Sequence, residues 1–217
     1  MKQETILCMV AHPDDELIGM GGTLFKYAKL GKRIITVIFS SGEQSDPLVQ
    51  KEILRTTRIE ESKKVGKLMK VQEVVFLGIE DGKIRAFIKN ESFLKKIETL
   101  IQEYKPDKIF THTMGDAHLS GDHIAVNRIV VKVLKRMNYH NELYTFDVWS
   151  PLSILQRGYP KLYVDISDFF KRKIKAMDIF ESQKASVYSL LPSVHVKARL
   201  YGNDIQCKYA EMFYKIR

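Results

Sequence analysis

The sequence predicts an α/β fold with a Rossmann-like, mostly parallel sheet and helices on both faces, built as a single domain. Short apolar runs rich in β-branched residues alternate with longer charged segments of helical periodicity along most of the 217 residues. No internal repeat or linker-like stretch interrupts this alternation. The length is typical of one domain with a sizeable core, so we expect residues 1–217 to form one unit.

The first half of the chain should supply three strands and two helices. The apolar run 6–11 is a strand that ends where Pro13 removes a ladder donor, and Gly31 ends the helix 17–30 that follows. A second strand is expected at 33–39, and Pro47 should open a charged helix that reaches about residue 70. The third strand, 73–78, precedes the Asp81-Gly82 turn.

The second half continues the alternation as far as about residue 180. Helices are expected at 92–104, 122–137 and 169–180, and strands at 108–112, 142–149 and 161–167. The stretch 189–206 carries Pro192, Gly202 and mixed polarity, so its periodicity predicts no regular element. Whether it covers one side of a crevice stays open from the sequence.

Composition predicts a protein of the reducing cytoplasm without a membrane span. Hydrophobic residues make up 45% and charged residues 28% of the chain, which is ordinary for a globular protein. No stretch approaches the roughly 20 apolar residues of a membrane helix. The two cysteines, Cys8 and Cys207, form neither a disulfide framework nor a metal-binding pair of the CxxC type.

The net charge of +9 raises the question of an anionic partner. It comes from 35 Lys and Arg against 26 Asp and Glu, and the basic residues are spread along the expected helices. No stacking-aromatic pattern of an RNA-binding module accompanies them. We therefore interpret them as solvated helix faces, and expect a small-molecule substrate and no nucleic-acid partner.

The turn His12-Pro-Asp-Asp-Glu16 directly follows the first strand and is the most informative motif. Open α/β sheets place their ligand crevice at the carboxyl ends of the strands. Three carboxylates in one turn repel one another unless a cation or a positive helix terminus holds them. The turn therefore predicts half of a metal-hydrolase site; the alternative is a helix N-terminus whose acidic residues only complement the helix dipole.

A second cluster of chemistry-bearing residues lies 100 residues later, between His112 and His123. It also follows a strand, so a parallel sheet brings it to the same edge as the first turn. Three of the six histidines fall within these twelve residues. His12, Asp15 and His123 would form a two-histidine, one-carboxylate set that suits catalytic zinc, with iron and manganese as alternatives.

These motifs resemble those of the PIG-L/LmbE-like family of zinc-dependent N-acetylglucosaminyl deacetylases. The resemblance covers nearly the whole chain. It is carried by Ala11-His-Pro-Asp-Asp-Glu16, Asp122-His123-x-Ala125, Ser41-Gly-Glu43, Arg58-x-x-Glu61, Phe76-Leu-Gly-x-x-Asp-Gly82, Lys175-Ala176 with Ser182-Gln183, and Tyr209-Ala-Glu-x-Phe213.

The resemblance implies a hydrolase that acts on a linear amide and removes the N-acetyl group of a GlcNAc-containing small molecule or glycoconjugate. It implies one Zn²⁺ per chain on His12, Asp15 and His123. Asp14 matches the family's general base, which takes the proton of a zinc-bound water during attack on the acetamide. A homo-oligomer, trimer or hexamer, is also implied, while the group attached to GlcNAc stays open.

The remaining site residues are assigned by the same resemblance. Arg58 and Asp81 match positions that grip sugar hydroxyls, although Arg58 could equally form a helix-surface ion pair with Glu61. The family's oxyanion-stabilising histidine lies three positions before the last ligand, where this chain has Ser120. His118 is the expected catalytic replacement in a loop two residues longer, with His112 as the second choice and a further substrate-binding candidate.

Two other functions remain as alternatives. A Rossmann-like nucleotide-binding protein would need Gly-x-Gly-x-x-Gly between strand and helix. Gly19, Gly21 and Gly22 do not have that spacing and lie inside the expected first helix, where close helix–sheet packing explains them better. A non-catalytic metal-binding protein is the other alternative, which the intact Asp14 disfavours.

Overall fold

A seven-stranded sheet forms the centre of the molecule in a computed structural model that describes residues 3–116, 121–150 and 158–217. The strand order is β3-β2-β1-β4-β5-β7-β6. The strands are β1 (Thr5–Val10), β2 (Arg33–Ser40), β3 (Glu73–Ile79), β4 (Lys108–His112), β5 (Glu142–Phe146), β6 (Lys161–Asp165) and β7 (Ala210–Lys215). The expected α/β class with a mostly parallel sheet is confirmed.

The first five strands are parallel, and β7 runs antiparallel to both of its neighbours. The central strand β1 lies between β2 and β4, with Met9 opposite Thr111. The carboxyl ends of β1 and β4 therefore meet, and the amide of Ala11 donates to Nε2 of His112 at 3.0 Å. This pairing brings the two predicted motifs together.

Helices cover both faces of the sheet. They are α1 (Asp15–Lys29), α2 (Lys51–Leu68), α3 (Glu91–Tyr104), α4 (Asp122–Arg136), α5 (Phe170–Met177) and α6 (Lys184–Asp204). Alternate β1 residues enter two separate cores: Ile6, Cys8 and Val10 pack with α1, α5 and α6, whereas Leu7, Met9 and Ala11 pack with α3 and α4. Burial on both faces explains why β1 is a continuous apolar run. No helix among the described residues has the length and apolar character required to cross a bilayer.

The glycines of α1 serve helix–sheet packing, as expected. A Cβ on Gly19 would lie 2.2 Å from the Phe146 ring, and one on Gly22 would lie 2.7 Å from Ile166. Such distances leave no room for a side chain, so the helix can approach the sheet only with glycine here. The helix also breaks at Met20, whose φ of −143° and ψ of 19° are not helical.

Three expectations about elements were wrong. The second helix begins at Lys51, because the residues after Pro47 turn and the Leu48 amide donates to the Asp46 side chain. Strand β5 ends at Phe146 rather than at 149, because the backbone amides of residues 148–150 donate to the Asp116 carboxylate. The C-terminal region is regular: most of 189–206 lies in α6, and the unexpected strand β7 follows it.

Candidate active site

The turn after β1 folds back on itself through Asp15. Pro13 ends the strand, and Asp14 adopts a φ of 99° immediately before α1 begins. Positive φ is strained for a residue with a Cβ and is often found at functional sites. The Asp15 carboxylate accepts the His12 amide proton at 2.8 Å, so the side chains of both residues face the same space.

The turn after β4 brings His123 against Asp15. Gly121, with a φ of 72°, precedes α4, and Asp122 and His123 form the first turn of that helix. Nε2 of His123 lies 3.3 Å from Oδ1 of Asp15, and Nδ1 of His12 lies 3.6 Å from Oδ2. One ligand atom from each of these three buried residues lies within 4.8 Å of the others. The predicted His12, Asp15 and His123 set is thus assembled in space.

Each histidine of this set pairs its other ring nitrogen with carboxylates outside the set. Nδ1 of His123 lies 2.6 Å from Asp116, while Nε2 of His12 lies 3.0 Å from Asp81 and 3.4 Å from Asp122. Metal-binding histidines usually have such outer partners, which fix the ring orientation and increase the basicity of the ligand nitrogen. This arrangement of donors fits a bound divalent cation.

The Asp116 carboxylate also determines where strand β5 ends. It accepts the backbone amides of Val148, Trp149 and Ser150 at 3.0, 2.8 and 3.2 Å. Burial alone would raise the pKa of Asp116, but hydrogen bonds with His112 and His123 hold that pKa well below its ordinary value. A single carboxylate therefore orients a candidate ligand and shapes the neighbouring loop. Sequence reasoning assigned Asp116 no role of its own, because its position between two histidines was the only local sign of its importance.

Two other groups of side chains have the spacing of a metal site, but their atoms are already used by the fold. One group is His112, Asp116 and His123, and the other is His12, Asp81 and Asp122. Besides the contacts of Asp116, the ring of His112 stacks on His123 at 3.9 Å and accepts the Ala11 amide. Asp122 accepts the Gly82 amide at 2.9 Å. The set that contains Asp15 is therefore the candidate metal site, and it is also the set that the sequence predicted.

Arg58 reaches from α2 into the site and is buried there. Its Nη2 donates to the Pro13 carbonyl at 2.8 Å and to Asp14 Oδ2 at 3.3 Å, and its Nη1 donates to Gly42 and Ser45. Glu61 instead accepts the amide and hydroxyl of Ser182. The alternative of a surface ion pair between Arg58 and Glu61 was wrong, because both side chains point inward to separate partners.

Burial raises the pKa of Asp14 to about 7, and the positive charge of Arg58 partly opposes that rise. Asp81 is different: burial alone would raise its pKa, but its hydrogen bond with His12 lowers that pKa to about 2. Two carboxyl groups of one cleft are thus held in different environments. Asp14 has the properties of a group that can exchange a proton, and Asp81 those of a fixed anion.

An open cleft of about 340 Å³ leads to these side chains. His12, Asp14, Asp15, Arg58 and Asp81 line it, as expected for site residues. Four further residues line it that the sequence had not assigned to the site, although Gln183 belongs to a motif of the family resemblance: Gln44, Ser45, Gln183 and Ser186. Trp149 also lines this cleft.

The walls of the cleft come from distant parts of the chain that hydrogen bonds connect. Gln44 donates to both the side chain and the carbonyl of Asp81, at 3.2 and 2.8 Å. The Gln183 amide donates to Ser45 Oγ at 2.8 Å across 138 positions of sequence. No local pattern could have indicated that contact, since the two residues meet only after α6 packs on the sheet.

The histidines proposed for the oxyanion have different outcomes. His112 is fully buried behind the candidate ligands, and Asn127 donates to its carbonyl at 2.7 Å. This placement suits support of the site, and its assignment as a substrate-binding residue stays a prediction. His118 lies outside the described residues, so its assignment also stays a prediction.

Comparisons with known proteins agree with this geometry. The family model described as PIG-L, GlcNAc-PI de-N-acetylase, matches residues 7–134. Diacetylchitobiose deacetylase of Thermococcus kodakarensis is 26% identical to this chain, over 95% of this chain and 80% of its own length.

Two solved structures share the fold. N,N'-diacetylchitobiose deacetylase from Pyrococcus horikoshii, crystallised with its inhibitor MPG, has a TM-score of 0.81 at 21% identity, covering 98% of this chain and 84% of its own. GalB, the 4-carboxy-2-hydroxymuconate hydratase from Pseudomonas putida KT2440, has a TM-score of 0.84 at 15% identity, covering 99% and 97%. At these identities the structural likeness establishes the fold, while the activity must be argued from the site.

Proposed function

The chain belongs to the PIG-L (GlcNAc-PI de-N-acetylase) family, and from that premise we propose that it is a metal-dependent N-deacetylase. Its substrate would be a GlcNAc-containing small molecule or glycoconjugate, hydrolysed to acetate and a free amine. The observation that carries the proposal is the convergence of His12, Asp15 and His123 at a cleft that also contains Asp14.

The donor set favours zinc as the cofactor. Two imidazoles and one carboxylate with an open position are a common zinc set in hydrolases, and outer carboxylates orient both imidazoles here. When bound, zinc would supply Lewis-acid activation of water and of the acetamide carbonyl. His12, Asp15 and His123 would hold the ion through the atoms that already face one another.

Asp14 is the residue we propose as general base. It lies next to Asp15 in the chain, lines the cleft, and is held by the guanidinium of Arg58. A carboxylate at this position can accept the proton of an attacking water and return it to the leaving amine. Arg58 fixes the rotamer of Asp14 and keeps a positive charge beside the developing negative charge of the transition state.

The substrate's sugar would contact the outer part of the cleft. Asp81 presents a carboxylate that can accept hydroxyl protons, although one of its oxygens is also bound to His12. Gln44, Gln183 and Ser186 add uncharged donors and acceptors, and Trp149 adds an indole. This wall suits the hydroxyl-rich rim of a carbohydrate, whose recognition requires directional hydrogen bonds.

Neither alternative function is favoured by the described residues. The glycines that a nucleotide-binding loop would use are closed off by Phe146 and Ile166. A metal-binding protein without activity would not need a strained Asp14 beside the metal set. Because a hydratase has the same fold, the decisive measurement is the product released.

The test is acetate release by zinc-loaded protein. N,N'-diacetylchitobiose, GlcNAc and GlcNAc-malate would be incubated with the parent and with His123→Ala, and acetate and free amine would be measured. We expect both products in equal amounts from the parent and neither from the variant. Zinc-loaded parent that releases no acetate from any of these substrates would contradict the proposal.

A further inference from the structure

Helix α1 is broken five residues after it begins. Met20 leaves the helical conformation, with a φ of −143° and a ψ of 19°. In a straight helix the amides of Gly22 and Thr23 would pair with the carbonyls of Ile18 and Gly19. A break inside a buried helix requires other partners for these groups, since unpaired backbone groups are costly away from water.

A buried ion pair from the other end of the chain supplies those partners. Glu211 in β7 accepts the Gly22 amide through Oε1 at 3.0 Å and the Thr23 amide through Oε2 at 2.7 Å. Lys173 in α5 donates to the Ile18 carbonyl at 2.7 Å and to Glu211 at 2.7 Å. The two side chains are only 3% and 5% exposed, so water cannot take their place.

The short helical segment before the break directly continues the turn that contains Asp14 and Asp15, here called the catalytic turn. It begins at Asp15, and Gly19 at its end fits against the ring of Phe146. That ring lies 5.5 Å from His112, whose Nε2 is 3.3 Å from the Asp15 carboxylate. The direction of this segment therefore decides where Asp14 and Asp15 point relative to the sheet.

We propose that Lys173 and Glu211 are positioning residues for the metal set. By replacing the hydrogen bonds that would continue α1, the pair keeps the helix broken and so aims Asp15 at His12 and His123. The inference rests on the proposed function for the presence of a metal. It adds a role for two residues that touch neither metal nor substrate.

The test separates the position of the catalytic turn from the stability of the fold. Lys173→Met alone leaves Glu211 buried without its cation and should lower Tm strongly. The double variant Lys173→Met/Glu211→Met removes both charges and allows Gly22 to pair with Ile18 again, so its Tm should recover. Zinc binding should not recover, because a straight α1 carries Asp15 away from the histidines.

Zinc affinity would be measured by competition with a chromophoric chelator, well below the Tm of each variant. We expect the double variant to bind zinc at least about tenfold more weakly than the parent, the lower end of the effect of losing an orienting partner. If the double variant fails to fold, Glu211→Gln takes its place. The neutral glutamine side chain accepts the backbone amides of Gly22 and Thr23 less strongly than the carboxylate does. Weaker zinc binding is again expected.

A matched control removes an ion pair from the opposite edge of the sheet. Lys108 and Glu4 lie 2.6 Å apart where β1 and β4 begin, and Lys108→Met should leave zinc affinity unchanged. Parent-like affinity in the double variant, or in Glu211→Gln where that variant is used, overturns the inference and leaves the proposed function standing. A parent that binds no zinc overturns both.

Discussion

Asp14 combines burial, a positive φ and a hydrogen bond with Arg58. A non-glycine residue in such a conformation costs about 1–3 kcal/mol and persists only when its surroundings enforce it. Here the guanidinium holds the Pro13 carbonyl and the Asp14 carboxylate at once. This conformation places the Asp14 carboxylate beside His12, Asp15 and His123 without adding it to that set, which is the position that the proposed general base needs.

Replacing this carboxylate by its amide should separate catalysis from metal binding. We expect Asp14→Asn to retain zinc and to lower kcat by about 10²–10⁴-fold, the usual contribution of general-base catalysis. The measurement is acetate release together with the zinc content of the same sample. Parent-like turnover would assign Asp14 another role, and loss of zinc would mean that it is a ligand.

The ligand set predicts a definite metal content. Purified protein loaded with zinc should contain about one ion per chain, and His123→Ala should lose most of it, because one of three protein ligands is removed. Elemental analysis of dialysed samples checks this prediction. Lys108→Met, which lies far from the site, is the control and should keep the parent's content. Equal zinc in the parent and His123→Ala would contradict the assignment.

At the scale of elements, the loops after β1 and β4 carry the site because both strands end at the same sheet edge. The loop after β4 contains Asp116, which holds both His123 and the amides that follow β5. A loop anchored in this way brings three strand ends together. The cleft therefore depends on contacts between loops as well as on the strand order.

The same loop is where we place the donor for the oxyanion. His118→Ala should lower kcat by about 10²–10³-fold, the usual cost of losing one such donor, with zinc content and Tm unchanged. His112→Ala is the informative comparison: its ring is fully buried, so that variant should also lose stability. Unimpaired turnover in His118→Ala would assign the donor to another group.

At the scale of the whole molecule, metal binding should couple to folding. The proposed ligands come from the loops after β1 and β4, so the set exists only when the sheet is formed. Zinc should therefore stabilise the native state by about 2.7 kcal/mol at a concentration 100 times Kd.

That stabilisation should appear as a rise in Tm of roughly 5–11 °C for a chain of this size. Differential scanning calorimetry with zinc and with a chelator checks it, and His123→Ala provides the control, with a much smaller shift. Equal Tm values for the parent with zinc and with chelator would contradict coupling through this site.

Much of the fold and the core of the site could be predicted from local sequence. The apolar run of β1 and the proline after it define where the first motif begins, and the next motif likewise follows a strand. Parallel strands expose their carboxyl ends at one edge, so the alternation places His12 and His123 at the same edge, and the pairing of β1 with β4 then brings them together. These features depend on short-range periodicity and on one topological rule.

The C-terminal elements could not be predicted in the same way. Pro192 and Gly202 interrupt the pattern of α6, yet its buried residues recur every three or four positions: Val187, Leu190, Val194, Ala198 and Gly202. In β7, the charged Glu211 breaks an apolar strand pattern. Packing on the sheet outweighs the proline, and Lys173 offsets the buried charge, so both elements exist because of their neighbours.

The sequence by itself determined the α/β class, the two clustered motifs and the resemblance to a family, because strand ends and residue types can be recognised from short stretches of sequence. Only the tertiary structure decided which side chains act together. Arg58 meets Asp14 across 44 positions, Gln183 meets Ser45 across 138, and Glu211 meets the amides of Gly22 and Thr23 across 189 and 188. The physical reason is that hydrogen bonds of buried polar groups are selected by the packed interior, which no local pattern encodes.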